Sequence, residues 1–465
     1  MPAPEAKSAR AIAAEVLHRF DPSREYAGPI LDGLLGRTEE KQRATDLVYG
    51  TIRNLHAIDA VITQFAGRLP ARIGPKPLSI IRVGVYELVY SPATPAYSIV
   101  NEAVNDARRG GGRKQTGFVN AVLRQVVRHI ADRQVDLAAA NARRVLVQTP
   151  QAGCEFDTDF LPEPSTSLPA HLGTRFSLPQ WLVSEWLDEF GPAQTRAICL
   201  ACNRRPSLYV RVNPLRTTTE DLLHEFEQAG IHAELAPAEK PGSGPARNMI
   251  RITGPHAVAQ LPGFSEGSFS VQDLSASRAV QALRPQRGWS ILDLCSAPGA
   301  KTTQLAEATR DSAQIVATDI DPGRLDRVRE NIARLDLKSV TVVPYAQLDR
   351  GAGERFDAIL LDVPCSNTGV LARRVEARHR VRPKAVASLT AIQQDLLKKA
   401  AGLVKPGGRI CYSTCSIQRA ENAEVPRSLL AEDNRFQLAH EELVLPSAGP
   451  FDHDGGYVAV LTRKP

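Results

Sequence analysis

The stretch SILDLCSAPGAKTTQLAEAT, residues 290–309, decides the fold class. Four β-favouring residues lead into a short turn containing Pro298 and Gly299, and a helical pattern starts at once. The same alternation then repeats. Strand QIVATDI precedes helix PGRLDRVRENIARL, and strands VTVVPY and FDAILLDVP follow. Helix LTAIQQDLLKKAAGLV, strand GRICYSTC and a closing GYVAVLTRK complete the series. Strands alternating with helices predict a doubly wound, mainly parallel α/β sheet over residues 284–465.

In such a sheet a ligand lies at the carboxyl ends of the strands. The turn Cys295-Ser296-Ala297-Pro298-Gly299-Ala300-Lys301 is one such end, and the helix start behind it favours an anionic group. A P-loop needs G-x-x-x-x-G-K-[ST], but Cys295 and Ala300 stand at its glycine positions. A G-x-G-x-x-G fingerprint is also lacking. S-adenosylmethionine remains, and its carboxylate suits this turn. Asp319, closing the second strand, is placed for the ribose hydroxyls, while Asp321 before Pro322 suits a helix cap.

Two cysteine phrases lie downstream, Pro364-Cys365-Ser366 and Thr414-Cys415-Ser416. Methylation of cytosine at carbon 5 uses a pair of thiols. That carbon becomes nucleophilic only after a thiolate has added to carbon 6, and a second thiol can assist release of the product. Asp362 before Val363-Pro364-Cys365 suits the base edge, where a carboxyl group stabilises charge that develops on addition. A free thiol has a pKa of about 8.5, so a neighbouring cation would favour its thiolate, and Lys301 is the cation at hand.

The rest of the chain differs in character. From residue 8 to about 133, apolar residues recur at i, i+3, i+4 and i+7, with breaks at Gly28-Pro29, Gly74-Pro75, Pro92–Pro95 and Gly110–Gly112. This predicts an all-α bundle over 1–135. Residues 134–166 read as an irregular connector, and 166–283 as a small α+β connecting domain in which Thr218 caps a helix. Arg204, Arg205 and Arg211 there, and Arg373, Arg374, Arg378, Arg380, Arg382 and Lys384 after the Cys365 loop, are expected to meet RNA phosphates.

The 465 residues carry a net charge of +6, unevenly spread. Residues 1–135 hold 19 Lys and Arg against 13 Asp and Glu, while the remainder holds 38 of each. The whole excess therefore belongs to the helical segment, the footprint of a module that meets phosphates. Seven scattered cysteines exclude a disulfide framework, and Cys199-Leu-Ala-Cys202 reads as helix packing rather than a metal site. The first residues suggest neither a signal peptide nor a membrane span, so a cytoplasmic protein is expected.

LDLCSAPGAKTT, TDIDPGRLDRVRENIARL, FDAILLDVPCSNTGVLARR, YSTCSIQRAENAEV and DGGYVAVLTRK, in that order, resemble the RNA cytosine-5 methyltransferases. DLVYGTIRN, IRVGVYELVY, PAYSIVNEAVNDAR and GFVNAVLR resemble the NusB-like RNA-binding domain. Together they resemble the bacterial 16S rRNA type, the RsmB/Sun family, over essentially the whole chain. The resemblance implies a Rossmann-like class I methyltransferase domain and a monomer acting on RNA without metal or membrane. It implies Cys415 as nucleophile, Cys365 as its partner in release, and Asp362 and Lys301 as further catalytic groups. The cofactor would rest on Cys295–Lys301, Asp319, Arg324 and Asp362. Three positions depart from the pattern: Ala300 replaces a glycine, Val363 an alanine, and Tyr345 the acidic residue near the adenine, with Asp349 the nearest acidic alternative. The same chemistry on tRNA and a non-catalytic RNA-binding assembly factor are the competing readings.

Overall fold

A computed structural model describes residues 7–110, 112–237, 248–254, 256–350 and 353–465, without the side chains of Gly110, Asp349 and Arg350. The chain forms two compact units. One runs to Arg204 and takes up Leu371–Val381; the other comprises Arg205–Val370 and Arg382–Pro465.

The first unit begins with helices α1 (Ala9–Arg19), α2 (Ala27–Leu35), α3 (Lys41–Arg53), α4 (Leu55–Ala66), α5 (Pro75–Tyr90), α6 (Ala96–Gly110) and α7 (Arg113–His129). Ser8 starts α1 by accepting from the Ala11 N–H at 3.2 Å, which satisfies one of the first-turn donors. The core forms around α5, where Ile81, Val85 and Leu88 join Ile12 and Val16 of α1 and Leu123 of α7. Two glycines permit this packing. A Cβ on Gly50 would lie 2.1 Å from the Tyr86 ring, and one on Gly84 would lie 2.9 Å from Leu123.

The expected irregular connector is instead a small antiparallel sheet, β1 (Ile130–Asp136), β2 (Val145–Val147) and β3 (Ala152–Phe156), in the order β1-β3-β2. The α7 periodicity stops at His129, four residues short of the expected helix end. IADRQVD carries few apolar residues, and its pairing depends on Val145, Leu146, Cys154 and Phe156, which are buried. Helices α8 (Leu168–Arg175) and α9 (Gln180–Asn203) follow, and α9 is kinked at Gly191-Pro192. Cys199 and Cys202 are buried in α9, as packing groups.

The second unit opens with β4 (Leu208–Val212), α10 (Thr219–Gln228), β5 (Ala233–Leu235), β6 (Met249–Ile252) and β7 (Phe269–Val271), an antiparallel sheet in the order β5-β6-β4-β7. Thr218 caps α10 as expected. After α11 (Leu274–Leu283) come β8 (Ser290–Asp293), α12 (Ala300–Ala308), β9 (Gln314–Ala317), α13 (Pro322–Leu335), β10 (Val340–Val342) and β11 (Phe356–Asp362). The turn α14 (Ala377–Arg380) belongs to the first unit. Then α15 (Pro383–Leu403), β12 (Val404–Thr414), α16 (Glu424–Glu432), β13 (Phe436–Val444) and β14 (Gly456–Arg463) complete the chain. The main sheet runs β10-β9-β8-β11-β12-β14-β13, parallel except for the antiparallel β14. This is the doubly wound, mainly parallel α/β sheet expected from the strand–helix alternation. The order reverses between β8 and β11, so the switch point lies at their carboxyl ends. Among the described residues no helix is long and apolar enough to cross a membrane.

Two arginines expected on an RNA path are interior. Arg211 is 1% exposed and forks onto Glu307 at 2.8 Å through both Nε and Nη2. Arg378 is fully buried in the first unit, donating to the carbonyls of Arg53, Phe176, Cys202 and Leu371 and to Asn203 Oδ1, all within 2.7–3.1 Å. Arg380 donates to Pro22 O at 3.0 Å and covers the Tyr26 ring. Arg374, Arg382 and Lys384 are exposed. Replacing Arg378 by Met would strip five buried acceptors of their donor. At about 1–3 kcal/mol for an unmet buried group, we expect a loss of at least about 3 kcal/mol, measured by calorimetry on the full chain. Unchanged stability would contradict the interior role.

Candidate active site

The site begins with strand register. β11 pairs in parallel with β12, setting Asp362 opposite Ser413. Just past these partners the chain reaches Cys365 on one side and Cys415 on the other. Their Sγ atoms are 3.2 Å apart, whereas a disulfide needs about 2.05 Å, so both are free thiols. Hydrogen bonding with Cys415, and then burial, push the Cys365 thiol well above its ordinary pKa. Cys415 Sγ also donates to Asn367 Oδ1 at 3.3 Å. Asn367, in a left-handed conformation, ties its own loop by donating from Nδ2 to Cys365 O at 2.9 Å.

Beneath the thiols, Glu421 holds both loops. Its carboxylate accepts from the Ser366 N–H at 2.8 Å, from the Ser366 hydroxyl, and from Ser416 Oγ at 2.6 Å. Gln393 bridges Glu421 Oε1 and Pro364 O. Asn422 grips the other loop, accepting from Thr414 Oγ1 at 2.6 Å and donating to Ser416 O at 3.0 Å. Sequence reading assigned no role to Glu421, Asn422 or Asn367. The signal available was their position, immediately after each cysteine phrase in QRAEN and SN.

The Asp362 side chain is one-third exposed. Lys301 Nζ donates to Asp362 Oδ2 at 2.6 Å, and Ser413 Oγ donates to Oδ1 at 2.7 Å. Burial opposes the charge on Lys301, yet the Asp362 carboxylate, with Cys415 also contributing, holds its pKa above the ordinary value. The first partner of Lys301 is thus the carboxylate rather than the thiol.

The cofactor-turn residues converge on the neighbouring strand ends. Gly299 has φ +104°, which favours glycine, and precedes α12. Asp319 is buried, accepting from the Ala297 N–H at 3.2 Å and the Asp321 N–H at 3.1 Å. Arg324 spans the same turn, donating to Ala297 O at 2.9 Å, with Asp319 3.6 Å away. Asp321 caps α13 through the Gly323 N–H, as read from sequence. Burial pushes the Cys295 thiol well above its ordinary pKa. At the end of β8, burial pushes Asp293 up to about 7 although Thr302 donates to it at 2.7 Å. Asp293 Oδ1, Ser296 Oγ and Thr318 Oγ1 are buried without a partner among the described residues. Unmet buried polar atoms are costly, and three around one turn fit a polar ligand such as S-adenosylmethionine. Tyr345 follows β10 with Lys399 Nζ 4.2 Å from its ring centroid, while the Asp349 side chain lies outside the described residues.

Comparison with known proteins bears on this geometry. A 16S rRNA methyltransferase RsmB/F model matches residues 280–451, a NusB family model residues 7–128, and a ferredoxin-like model of RsmF/B-like methyltransferases residues 178–242. Ribosomal RNA small subunit methyltransferase B of Serratia proteamaculans is 34% identical over 98% of this chain and 98% of its own length. The chain belongs to the RsmB/F methyltransferase family. A probable small subunit methyltransferase B from Synechocystis is 33% identical, covering 94% of this chain and 90% of its own. The crystal structure of PH0851 shares the fold, with TM-score 0.74 and 23% identity over 98% of this chain and 99% of its own. The NusB match covers α1–α7, and the ferredoxin-like match includes β4, α10 and β5.

Glu421 provides a test of how the thiols are held. Glu421→Ala would leave the Ser366 amide and two buried hydroxyls without their acceptor, and should destabilise the second unit by about 3 kcal/mol. Methyl transfer should fall steeply while S-adenosylmethionine affinity changes little, as titration calorimetry would show. An unaltered turnover would mean that the loops hold their spacing without Glu421.

Proposed function

We propose that this chain transfers the methyl group of S-adenosylmethionine to carbon 5 of a cytosine in 16S rRNA, with Cys415 as the attacking nucleophile, in the cytoplasm. The family supplies the coarser part, an S-adenosylmethionine-dependent rRNA methyltransferase. The observation that carries the finer part is the pair of thiols 3.2 Å apart beside the Lys301–Asp362 pair. N- and O-methylation need no thiol, whereas carbon-5 chemistry has work for two.

The bound cofactor supplies an electrophilic methyl group; the Cys295–Lys301 turn, Asp319, Arg324 and Asp362 would hold it. The protein's side chains do the rest. Loss of the Cys415 proton to solvent gives the attacking thiolate, toward which the Cys365 S–H 3.2 Å away can donate. Cys415 Sγ then bonds to carbon 6 as the C5–C6 π bond opens, which places charge on carbon 5 and, by conjugation, on nitrogen 3. Carbon 5 becomes the nucleophile toward the methyl group that bound S-adenosylmethionine would supply. Lys301, held in place by Asp362, supplies the positive charge that stabilises the ring charge at the base edge. Once Cys415 is bonded to carbon, the interaction that held the Cys365 proton is gone. Cys365 releases that proton to solvent and takes the one from carbon 5, while the bond from carbon 6 to Cys415 breaks and returns its electron pair to sulfur. Both thiols end as they began. The cytosine must leave its stack to enter, which favours a loop or single-stranded site.

Separate substitutions distinguish the two thiols. Cys365→Ala should accumulate enzyme covalently joined to RNA in denaturing gels, because addition survives and release does not. Cys415→Ala should give neither adduct nor methylated RNA. A Cys415→Ala variant with activity would reverse the assignment.

A further inference from the structure

The N-terminal bundle carries a groove unrelated to the thiol site. It lies between α6 and α7, has a volume of about 940 Å³, and is lined by four arginines, Arg108, Arg113, Arg124 and Arg128, with no acidic residue. Tyr97, also in the lining, is 79% exposed. The two helices are consecutive, so the pairs lie apart: Arg108 and Arg113 near the connecting loop, Arg124 and Arg128 toward the Tyr97 end. At 1.5 Å per residue, α6 runs for about 22 Å, room for a few nucleotides.

One glycine belongs to the groove lining, Gly117. Gly117 lies within α7, where glycine costs about 1 kcal/mol relative to alanine. Gly50 and Gly84 have a packing reason, since a Cβ on either would strike a neighbouring side chain. Gly117 has none: nothing lies within 4 Å of the Cβ it lacks. The space above it opens into the groove. An exposed glycine in the lining of a basic groove leaves room for a ligand to pass close to the helix backbone.

We propose that the α6–α7 groove is a path for single-stranded RNA, with the arginines on phosphates, Tyr97 stacked on a base, and Gly117 leaving room for the strand. Cationic grooves with exposed aromatic rings bind single strands in this way. The uneven charge agrees, since residues 1–135 hold the entire positive excess. The inference deepens the RNA methyltransferase reading and rests on it for the identity of the strand.

The test uses the full chain and an in-vitro 16S rRNA transcript, with affinity measured across salt concentrations. Tyr97→Ala should weaken binding about tenfold. The triple variant R108Q/R113Q/R124Q should flatten the log–log salt slope by about 2, at roughly 0.7 per phosphate contact. Gly117→Gln should melt no lower than the parent, because glutamine is the better helix former, yet bind RNA at least severalfold more weakly. Wild-type affinity and slope in all three variants would overturn the proposal and assign the groove to a protein partner. Methylation by the parent chain is scored in the same samples. Binding loss without parental methylation would support the groove and sink the activity, and methylation with unchanged binding in the variants would do the reverse.

Discussion

Two sulfur atoms 3.2 Å apart are the constraint around which the second unit is arranged. Strand pairing alone brings them near, because the parallel register of β11 and β12 ends both strands at one level. It does not hold two irregular loops there. That task falls to Glu421, buried below both, which accepts from Ser366 on one loop and Ser416 on the other. A buried carboxylate is tolerated only when its oxygens are fully employed. Four donations meet that requirement while cross-linking the loops without a covalent bond.

A second buried charge extends the arrangement to the cofactor helix. Arg211 of β4 meets Glu307 of α12 with both ends of its fork, and reaches Thr303 and the Ala300 carbonyl near the start of that helix. Such a pair adds little net stability over a well-packed apolar substitute, although removing one partner leaves an unmatched buried charge. Its contribution is to position: the small sheet is fixed to the helix that carries Lys301. Through Lys301 and Asp362 the cofactor turn and the thiol loops then share one ion pair.

Much of this was legible in the sequence because it is local or periodic. The strand–turn–helix alternation specified the sheet, and Asp321 and Thr218 cap helices as their positions indicated. The main-sheet strand β13 was not legible. FQLAHEELV is mostly exposed and lacks apolar alternation, so only its ladder with β14 makes it a strand. Arg211 and Arg378 were read as surface cations because an arginine in a basic run looks the same whether it meets solvent or a set of carbonyls. Glu421 was overlooked for a similar reason. Its importance comes from two loops that meet only in the folded chain.

Mass spectrometry of nucleosides from a 16S rRNA transcript incubated with the protein and methyl-labelled S-adenosylmethionine is the most direct test of this account. Label on 5-methylcytidine, abolished by Cys415→Ala, is the predicted result. Label on N4-methylcytidine, on a ribose 2′-oxygen or on another base would contradict it, because none of those products requires two thiols in contact.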